Sequence, residues 1–516
     1  MTNHNPLIYG KNTIERIVSC EPKENHIELF IEKKDGSISV DIKPFNYWFL
    51  SNKPIDRRCE RLDGDLHYKY ILKFNEKLDF TRTFYNLKKN HDVFKVSSDK
   101  EMAMTLYGFT YFKNMTVDEI STLSFDIETT GVDHNKDSRV LMISNTFRRQ
   151  GILTRKLFAF DDYTDEGEMI KAWCDWVREI NPTILLGHNI YKFDLPYLRF
   201  VASKYDIKLM LGRDGSETFF NQYESKFRKD GSQFYHFNKI HIYGRELVDT
   251  CFLSIKFDIA RKFQSYALKS LIKEMGLEKS DRQFYDASQI RFKYNDPVEW
   301  AKIKQYCEED SDDALKLFDK FVGPTFYTTA MIPKSFTDTL LTNSGGQINA
   351  LISRSYIQDG HSIPKGEESG QFQGAISMGV PGIYHNVCSA DVESLYPSVI
   401  LTYSIHDKEK DPKGHFLKIL KILKEERIKN KKLAKDTGIG YYDDMQNSQK
   451  LTINSFFGML GASGLNFNSP KNAALITEKG REILTKAVEF LTGKEFEVWK
   501  TENNLNKDIE EVIEQI

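Results

Sequence analysis

The sequence has no Cys-x-x-Cys pair and no histidine cluster near a cysteine. Its six cysteines, at 20, 59, 174, 251, 307 and 388, are scattered. That scatter argues against a structural zinc site or a disulfide framework and fits a reducing compartment. No apolar run approaches the roughly 18 residues needed to span a bilayer, and the opening MTNHNPLIYG lacks the features of a signal peptide. A soluble, cytoplasmic protein with no membrane partner is therefore expected. Charge of neither sign dominates: 72 Lys and Arg face 74 Asp and Glu, for a net charge of -2. Such a balance neither announces nor forbids nucleic acid, because a basic groove can lie on a neutral protein. Internal repeats and low-complexity tracts are also absent.

What is present suits packed cores. Apolar residues make up 40% and aromatics 13% of 516 residues, which excludes a disordered chain. At about 150 residues each, three or four domains are expected. Residues 1–105 alternate apolar and polar positions in short runs such as HIELFIEK and SISVDIKPF, broken by turns such as KKDGS, and read as β-rich. From 106 to 324, strands (TLSFDIE, TILLGHN) alternate with helical periods (GEMIKAWCDWVREI, DALKLFDKFV), which predicts an α/β domain. Beyond Gly323-Pro324 a helical segment is expected, then strands from Phe372 to Val387. Two helices around the turn GIGYYDD should fill 405–455, followed by a glycine-rich stretch and a last helix from about Thr477 to Leu491. The fold class expected is multidomain, α/β with α+β.

LSFDIETTG puts Asp126 and Glu128 two residues apart on one strand, so both carboxylates face one side. LLGHNIYKFDLPYL ends a second apolar strand and offers Asn189 and Asp194. YCEEDSDDALKL offers Tyr306 and Asp310, one helical turn apart. Each acid alone could be a solvated charge or a helix cap. Together, four carboxylates suffice for two divalent metals, which can generate a hydroxide and stabilise both oxygens of an in-line phosphoryl displacement, with Tyr306 orienting the water.

DIE, then N-x-x-x-F-D, then Y-x-x-x-D resembles, in this order, the three 3′–5′ exonuclease motifs of family B DNA polymerases. The resemblance implies an RNase H-like proofreading domain with Asp126, Glu128, Asp194 and Asp310 as metal ligands, Tyr306 catalytic, and Asn189 and Phe193 contacting DNA. SYALKSLIKEMGL is similar to the family's segment between its second and third motifs. Asp312 and Asp313 miss the family register and are expected to be solvated.

The resemblance continues past residue 370. Phe372 to Ala375, F-Q-G-A, is similar to the family's Y-x-G-G/A linker, with Phe372 in place of tyrosine and template contact implied for Phe372 and Gly374. DVESLYPSVI reads as a strand that turns through Pro397 and resembles the first polymerase motif. By that match Asp391 binds catalytic metal and Tyr396 lies under the incoming sugar, excluding a 2′-hydroxyl. QNSQKLTINSFFG resembles the second polymerase motif. Gln446, Lys450 and Asn454 recur at four-residue spacing on one helical face, and Gly458 would let DNA approach the backbone. Lys450 would neutralise triphosphate charge, and Phe457 stands where the family has tyrosine. KGHFLKILKILKEERIKNKKLAKD, with nine basic and three acidic residues and an apolar stripe of Phe416, Leu420 and Leu423, suits the fingers, where Arg427 and Lys431 would grip phosphates. YYDDM (Tyr441 to Met445) resembles the paired-aspartate box of reverse transcriptases. That box needs a β-hairpin, whereas this one precedes a helix in register with the family's Y-D-x-x-Q.

The family's third polymerase motif, D-T-D, and its thumb are not found after Asn454. EVWKTENN offers Lys500 and Glu502 at about that distance, and lysine cannot ligate magnesium. The expectation is a front part of a polymerase, split in the manner of a phage or archaeal enzyme. Its parts would be a β-rich domain at 1–105 with 325–371 packed back on it, an exonuclease at 106–324, palm at 372–404 and 458–516, and fingers at 405–457. A second polypeptide carrying D-T-D and thumb would dock on the apolar stripe Leu505, Ile509, Val512, Ile513 and Ile516. Mg²⁺ or Mn²⁺, two ions per active site, dNTPs, primer-template, single-stranded DNA and a sliding clamp complete the expected ligands and partners, in a host's cytoplasm if the gene is viral. The alternatives are a nuclease whose palm and fingers only bind DNA, and a replication scaffold.

Overall fold

Small hydroxyl side chains on two adjacent strands let one long helix lie close against the main sheet, and that contact builds the first half of the protein. The computed structural model describes residues 4–230, 233–280, 282, 285–380 and 382–505. Its five-stranded sheet has the order Ile152–Ala159, Val140–Arg149, Thr122–Thr129, Ile184–Gly187, Glu246–Asp249. The first three strands pair antiparallel and the last three parallel, the mixed pattern expected where helices cover the sheet. Ser124 Oγ donates to the Ser311 carbonyl at 2.7 Å, and Ser144 Oγ to the Cys307 carbonyl at 2.7 Å, fastening the helix Pro297–Thr329 to the sheet. The helix Glu166–Ile180, capped by Asp165, brings Trp173 against Phe125 at 5.3 Å between centroids.

The chain does not break at Gly323-Pro324. One helix runs from Pro297 to Thr329 because Phe321, Val322, Phe326 and Tyr327 continue its buried face across the proline. Near the start, Ile17–Pro22, His26–Glu32 and Ile38–Pro44 form a three-stranded antiparallel sheet in chain order. A further four-stranded sheet lies within 47–94, and Phe219–Asp230 pairs with Gln233–His241 as a hairpin. Two compact units result: Met1–Phe49 with Leu72–Thr342, and Leu50–Ile71 with Asn343–Ile516.

Outside Leu50–Ile71, the regular structure described in the second unit is helical. His415–Thr437 ends at Gly438, whose φ of 67° is the left-handed cap that glycine adopts without strain. Gly440–Gly461 then returns beside it, with Phe416 packed edge-on to Phe456 at 5.1 Å. Phe416, Leu420 and Leu423 are buried, as the stripe predicts, and Ile419 is buried beside them. Pro470–Thr492 starts seven residues ahead of the expected Thr477, with Pro470 in the first turn, where a missing N–H costs nothing.

Two expectations are corrected. Among the described residues no strand occurs between Phe372 and Val387; that stretch is exposed and glycine-punctuated, so no burial fixes a pairing register. Nor is DVESLYPSVI a strand. Asp391, Val392 and Glu393 have no regular structure, and Leu395–Thr402 is a helix that holds Pro397 in its first turn and buries Pro397, Val399 and Ile400. Tyr441 to Met445 lie within a helix, without the hairpin a reverse transcriptase needs. Of the terminal stripe only Leu505 is among the described residues; Ile509, Val512, Ile513 and Ile516 lie outside them. No helix among the described residues is long and apolar enough to cross a membrane.

Candidate functional site

Alternation along Thr122–Thr129 turns Ser124, Asp126 and Glu128 toward the long helix, which presents Cys307 to the same space. One potential ligand atom from each of Asp126, Glu128 and Cys307 lies within 4.8 Å of the others. Asp194 opens the helix Asp194–Ser203 and is buried. Asp310 lies one turn beyond Tyr306, accepts a hydrogen bond from its hydroxyl, and takes a second from Arg282 Nη2 at 2.6 Å. The four acids the sequence singles out thus act on one another through a single buried space.

Burial pushes all four carboxyls above their ordinary range, and at Asp126 and Glu128 repulsion from other acids of the group adds to it. Glu128 and Asp194 are each pushed up to about 8. Asp126 is raised well above normal by burial, then by Asp194, Asp310 and Glu128; Asp310 is raised by burial against the pull of Lys269 and Arg282. Carboxylates that repel one another in a dry site are relieved by a dication, and an all-oxygen donor set suits a hard one such as Mg²⁺ or Mn²⁺. The residues therefore fit the metal. Cys307 does not join them as a thiolate, because burial beside Asp126 holds its thiol protonated.

Three further residues shape this space without a sequence signal that singles them out. Lys269 donates to the Tyr306 hydroxyl and stands 4.2 Å from the centre of that ring. Asp249, fully buried, accepts from the Asn189 amide at 2.9 Å, the Cys251 amide at 2.9 Å and the Tyr191 amide at 3.4 Å. It thereby holds Asn189 at a φ of 70°, a left-handed conformation that asparagine tolerates. Burial raises Asp249 to about 6. His188, whose pKa burial lowers to about 4, bridges Thr250 Oγ1 and the Tyr266 carbonyl at 2.9 Å each. His188, Asn189, Lys192, Tyr235, Arg261 and Phe263 line a cavity of about 810 Å³ that opens beside these loops. Phe193, half-buried, packs on Tyr197 at 5.4 Å.

Asp312 and Asp313 are not solvated: both are buried. Asp312 accepts from Thr146, Arg155 and Lys279, and Asp313 pairs with Arg282 and Lys316. Sequence register alone could not show that Arg155 from a strand and Lys279 and Arg282 from the segment after Leu268–Glu274 converge on them.

In the second unit, Gln446, Lys450, Asn454 and Gly458 share the open face of Gly440–Gly461, while Met445, Gln449, Ile453, Phe456 and Leu460 are buried. Asn454 and Tyr396 line a cavity of about 310 Å³ with Ser394, Leu395 and Pro397. Phe457 packs on Tyr396. From the basic helix, Arg427 donates to Ser394 Oγ at 3.1 Å and Lys431 pairs with Glu393 at 3.2 Å. Phe372 and Gly374 lie on the irregular stretch, where Thr477 and Arg481 donate to the Gln373 carbonyl, each at 2.9 Å. Asp391 is exposed.

The family pattern described as "DNA polymerase family B, exonuclease domain" matches residues 68–271, and that of "DNA polymerase family B" matches 404–514. The first range holds Asp126, Glu128 and Asp194, and the second Lys450 and Asn454; Asp310 and Asp391 fall outside both. A DNA polymerase of Archaeoglobus fulgidus is 24% identical over 361 residues, covering 65% of this chain and 43% of that protein. A DNA polymerase of Thermococcus sp. (strain 9oN-7) is 25% identical over 415 residues, covering 73% and 52%. The chain spans about half the length of these relatives. A solved family B DNA polymerase from Pyrobaculum calidifontis shares the fold with a TM-score of 0.73 at 18% identity, over 92% of this chain and 71% of that one. Exonuclease and polymerase domains of this family use divalent metal ions. With the two patterns in order along one chain and the fold shared, the chain belongs to DNA polymerase family B and carries its exonuclease domain and part of its polymerase domain.

Proposed function

We propose that this chain is the large front part of a DNA-directed DNA polymerase acting in replication, with a 3′–5′ proofreading exonuclease that digests single-stranded DNA. The observation that carries the nuclease is the grouping of half-buried Asp126 with buried Glu128, Asp194 and Asp310. These four would hold two Mg²⁺ or Mn²⁺ ions, which supply charge stabilisation to the phosphoryl oxygens and make water acidic. Tyr306, fixed by Asp310 and Lys269, orients the attacking water, and Asn189 and Phe193 hold the DNA end. The chain alone should degrade single-stranded DNA from its 3′ end with Mg²⁺. The Asp126→Ala, Glu128→Ala double variant should lose roughly 10³-fold in rate. Digestion by that variant at the parent rate ends the reading.

For synthesis, Tyr396 and Asn454 would line the nucleotide site, and Lys450, Arg427 and Lys431 would meet triphosphate charge. Asp391 would bind metal, with Phe372, Gly374 and Gly458 along the primer-template. A lone carboxylate does not hold a catalytic ion pair. The second reading, a nuclease whose palm and fingers only bind DNA, is favoured by that one observation: Asp391 is exposed and regular structure does not fix it. We favour the first, in which a second polypeptide brings D-T-D and thumb and a sliding clamp adds grip. Six free cysteines suit a cytoplasmic setting. Primer extension decides between the two. The purified chain should not extend a primer, and adding the second polypeptide should restore synthesis that depends on Asp391.

A further inference from the structure

The run Asp310, Asp312, Asp313 on the long helix places three carboxylates within four residues, all buried, which would be strongly unfavourable without compensating charge. The compensation is divided by helical direction. Asp312 points to the sheet edge, where Thr146 Oγ1 lies at 2.6 Å, Arg155 Nε at 2.9 Å and Lys279 Nζ at 2.9 Å. Asp310 and Asp313, three residues apart, share one face and one cation, Arg282. Its Nη2 lies 2.6 Å from Asp310 Oδ1, and its Nη1 pairs with Asp313. All three side chains are almost sealed, at 3% exposure for Arg282, 8% for Asp310 and 2% for Asp313. Asp313 is anchored in turn by Lys316 Nζ at 2.8 Å, which also donates to the Leu277 carbonyl at 3.2 Å.

We infer that Arg282 and Asp313 are positioning residues for the exonuclease site: Asp313 holds the guanidinium, and the guanidinium holds the Asp310 carboxylate. The inference rests on the nuclease reading above and names residues that motif register would discard.

The test measures single-strand digestion and Mn²⁺ affinity in the full chain, with the Asp126→Ala, Glu128→Ala variant identifying the ions of this site. Asp313→Asn should lower kcat and Mn²⁺ affinity each about 10-fold, the usual effect of losing a group that orients a ligand, and leave KM for DNA unchanged. Arg282→Lys should retain more of both than Arg282→Gln. The double variant Arg282→Gln, Asp313→Asn should be no worse than Arg282→Gln alone, because the two act in series. Asp312→Asn, equally buried but not joined to Asp310 through Arg282, should lower Tm and spare kcat. If Asp313→Asn fails to fold, the comparison of Arg282→Lys with Arg282→Gln decides. Parent-like kcat and Mn²⁺ affinity in Asp313→Asn, or an equal loss in Asp312→Asn, overturns the inference. A parent that binds Mn²⁺ but digests nothing, while Asp313→Asn still weakens Mn²⁺, overturns the nuclease reading and leaves the positioning role standing.

Discussion

The rings of Tyr396 and Phe457 stand 4.5 Å apart, inclined at 41°, and join the short helix Leu395–Thr402 to the open-faced helix Gly440–Gly461. Two residues from separate motifs thus form one aromatic corner of the cavity that holds Asn454. Packing on Phe457 supports the Tyr396 ring, as the proposed steric gate would require.

Tyr396→Ala in a polymerase-competent assembly should therefore admit ribonucleotides much more readily than the parent. Phe457→Ala should relax discrimination less, since it removes the support and leaves the gate. Incorporation ratios of dNTP to rNTP, measured by single-nucleotide extension, check this; unchanged ratios in Tyr396→Ala remove it from the gate.

Behind the same ring lies Gly480 of the helix Pro470–Thr492. A Cβ there would stand 3.1 Å from Tyr396 Cε1, tighter than ordinary contact. Gly480→Ala should gain up to about 1 kcal/mol of helix propensity while pressing on the ring. The expected signature is an equal or higher Tm together with a several-fold higher KM for dNTP. A KM that stays at the parent value would show that the ring yields without consequence.

The raised carboxyls of Glu128 and Asp194 make the metal-free protein sensitive to alkali. Their folded values, about 8, lie above the ordinary 4.5 and 3.8, so the folded state binds protons that the unfolded chain releases. Stability is then full below about pH 4 and is lost as pH rises toward 8. Metal binds the deprotonated group, so Mg²⁺ should raise Tm little near pH 5.5 and more near pH 8. In Glu128→Gln the fall between those pH values should shrink. Scanning calorimetry at both pH values with and without Mg²⁺ checks it; a metal shift of equal size at both would contradict it.

Asp249 carries the loop that presents Asn189. Asp249→Ala leaves the Asn189 amide and the buried amides of Tyr191 and Cys251 without their acceptor, at about 1–3 kcal/mol for each buried group. The variant should lose Tm and exonuclease rate together. Asp249→Asn, which keeps one carbonyl oxygen, should recover part of both. Thermal melts beside single-strand digestion make the measurement, and a variant with lowered Tm but parent rate would limit Asp249 to stability.

What the sequence determined by itself is the local chemistry. Period-two alternation sets Asp126 and Glu128 on one face of a strand, and helical spacing aligns Tyr306 with Asp310 and Gln446 with Lys450 and Asn454. These are properties of neighbours along the chain, and the structure keeps them. Tertiary structure decided everything that depends on a partner far away in sequence. Whether DVESLYPSVI becomes strand or helix turns on which face finds a buried surface, and Pro397, Val399 and Ile400 find it as a helix. Asp312 and Asp313 look like solvated charges until Arg155, Lys279 and Arg282 arrive from elsewhere in the chain. Asp249 carries no local pattern and Lys269 is unmarked within SYALKSLIKEMGL, and only folding brings one to Asn189 and the other to Tyr306. Spacing along a chain encodes direction, whereas burial and pairing are set by which distant surfaces meet.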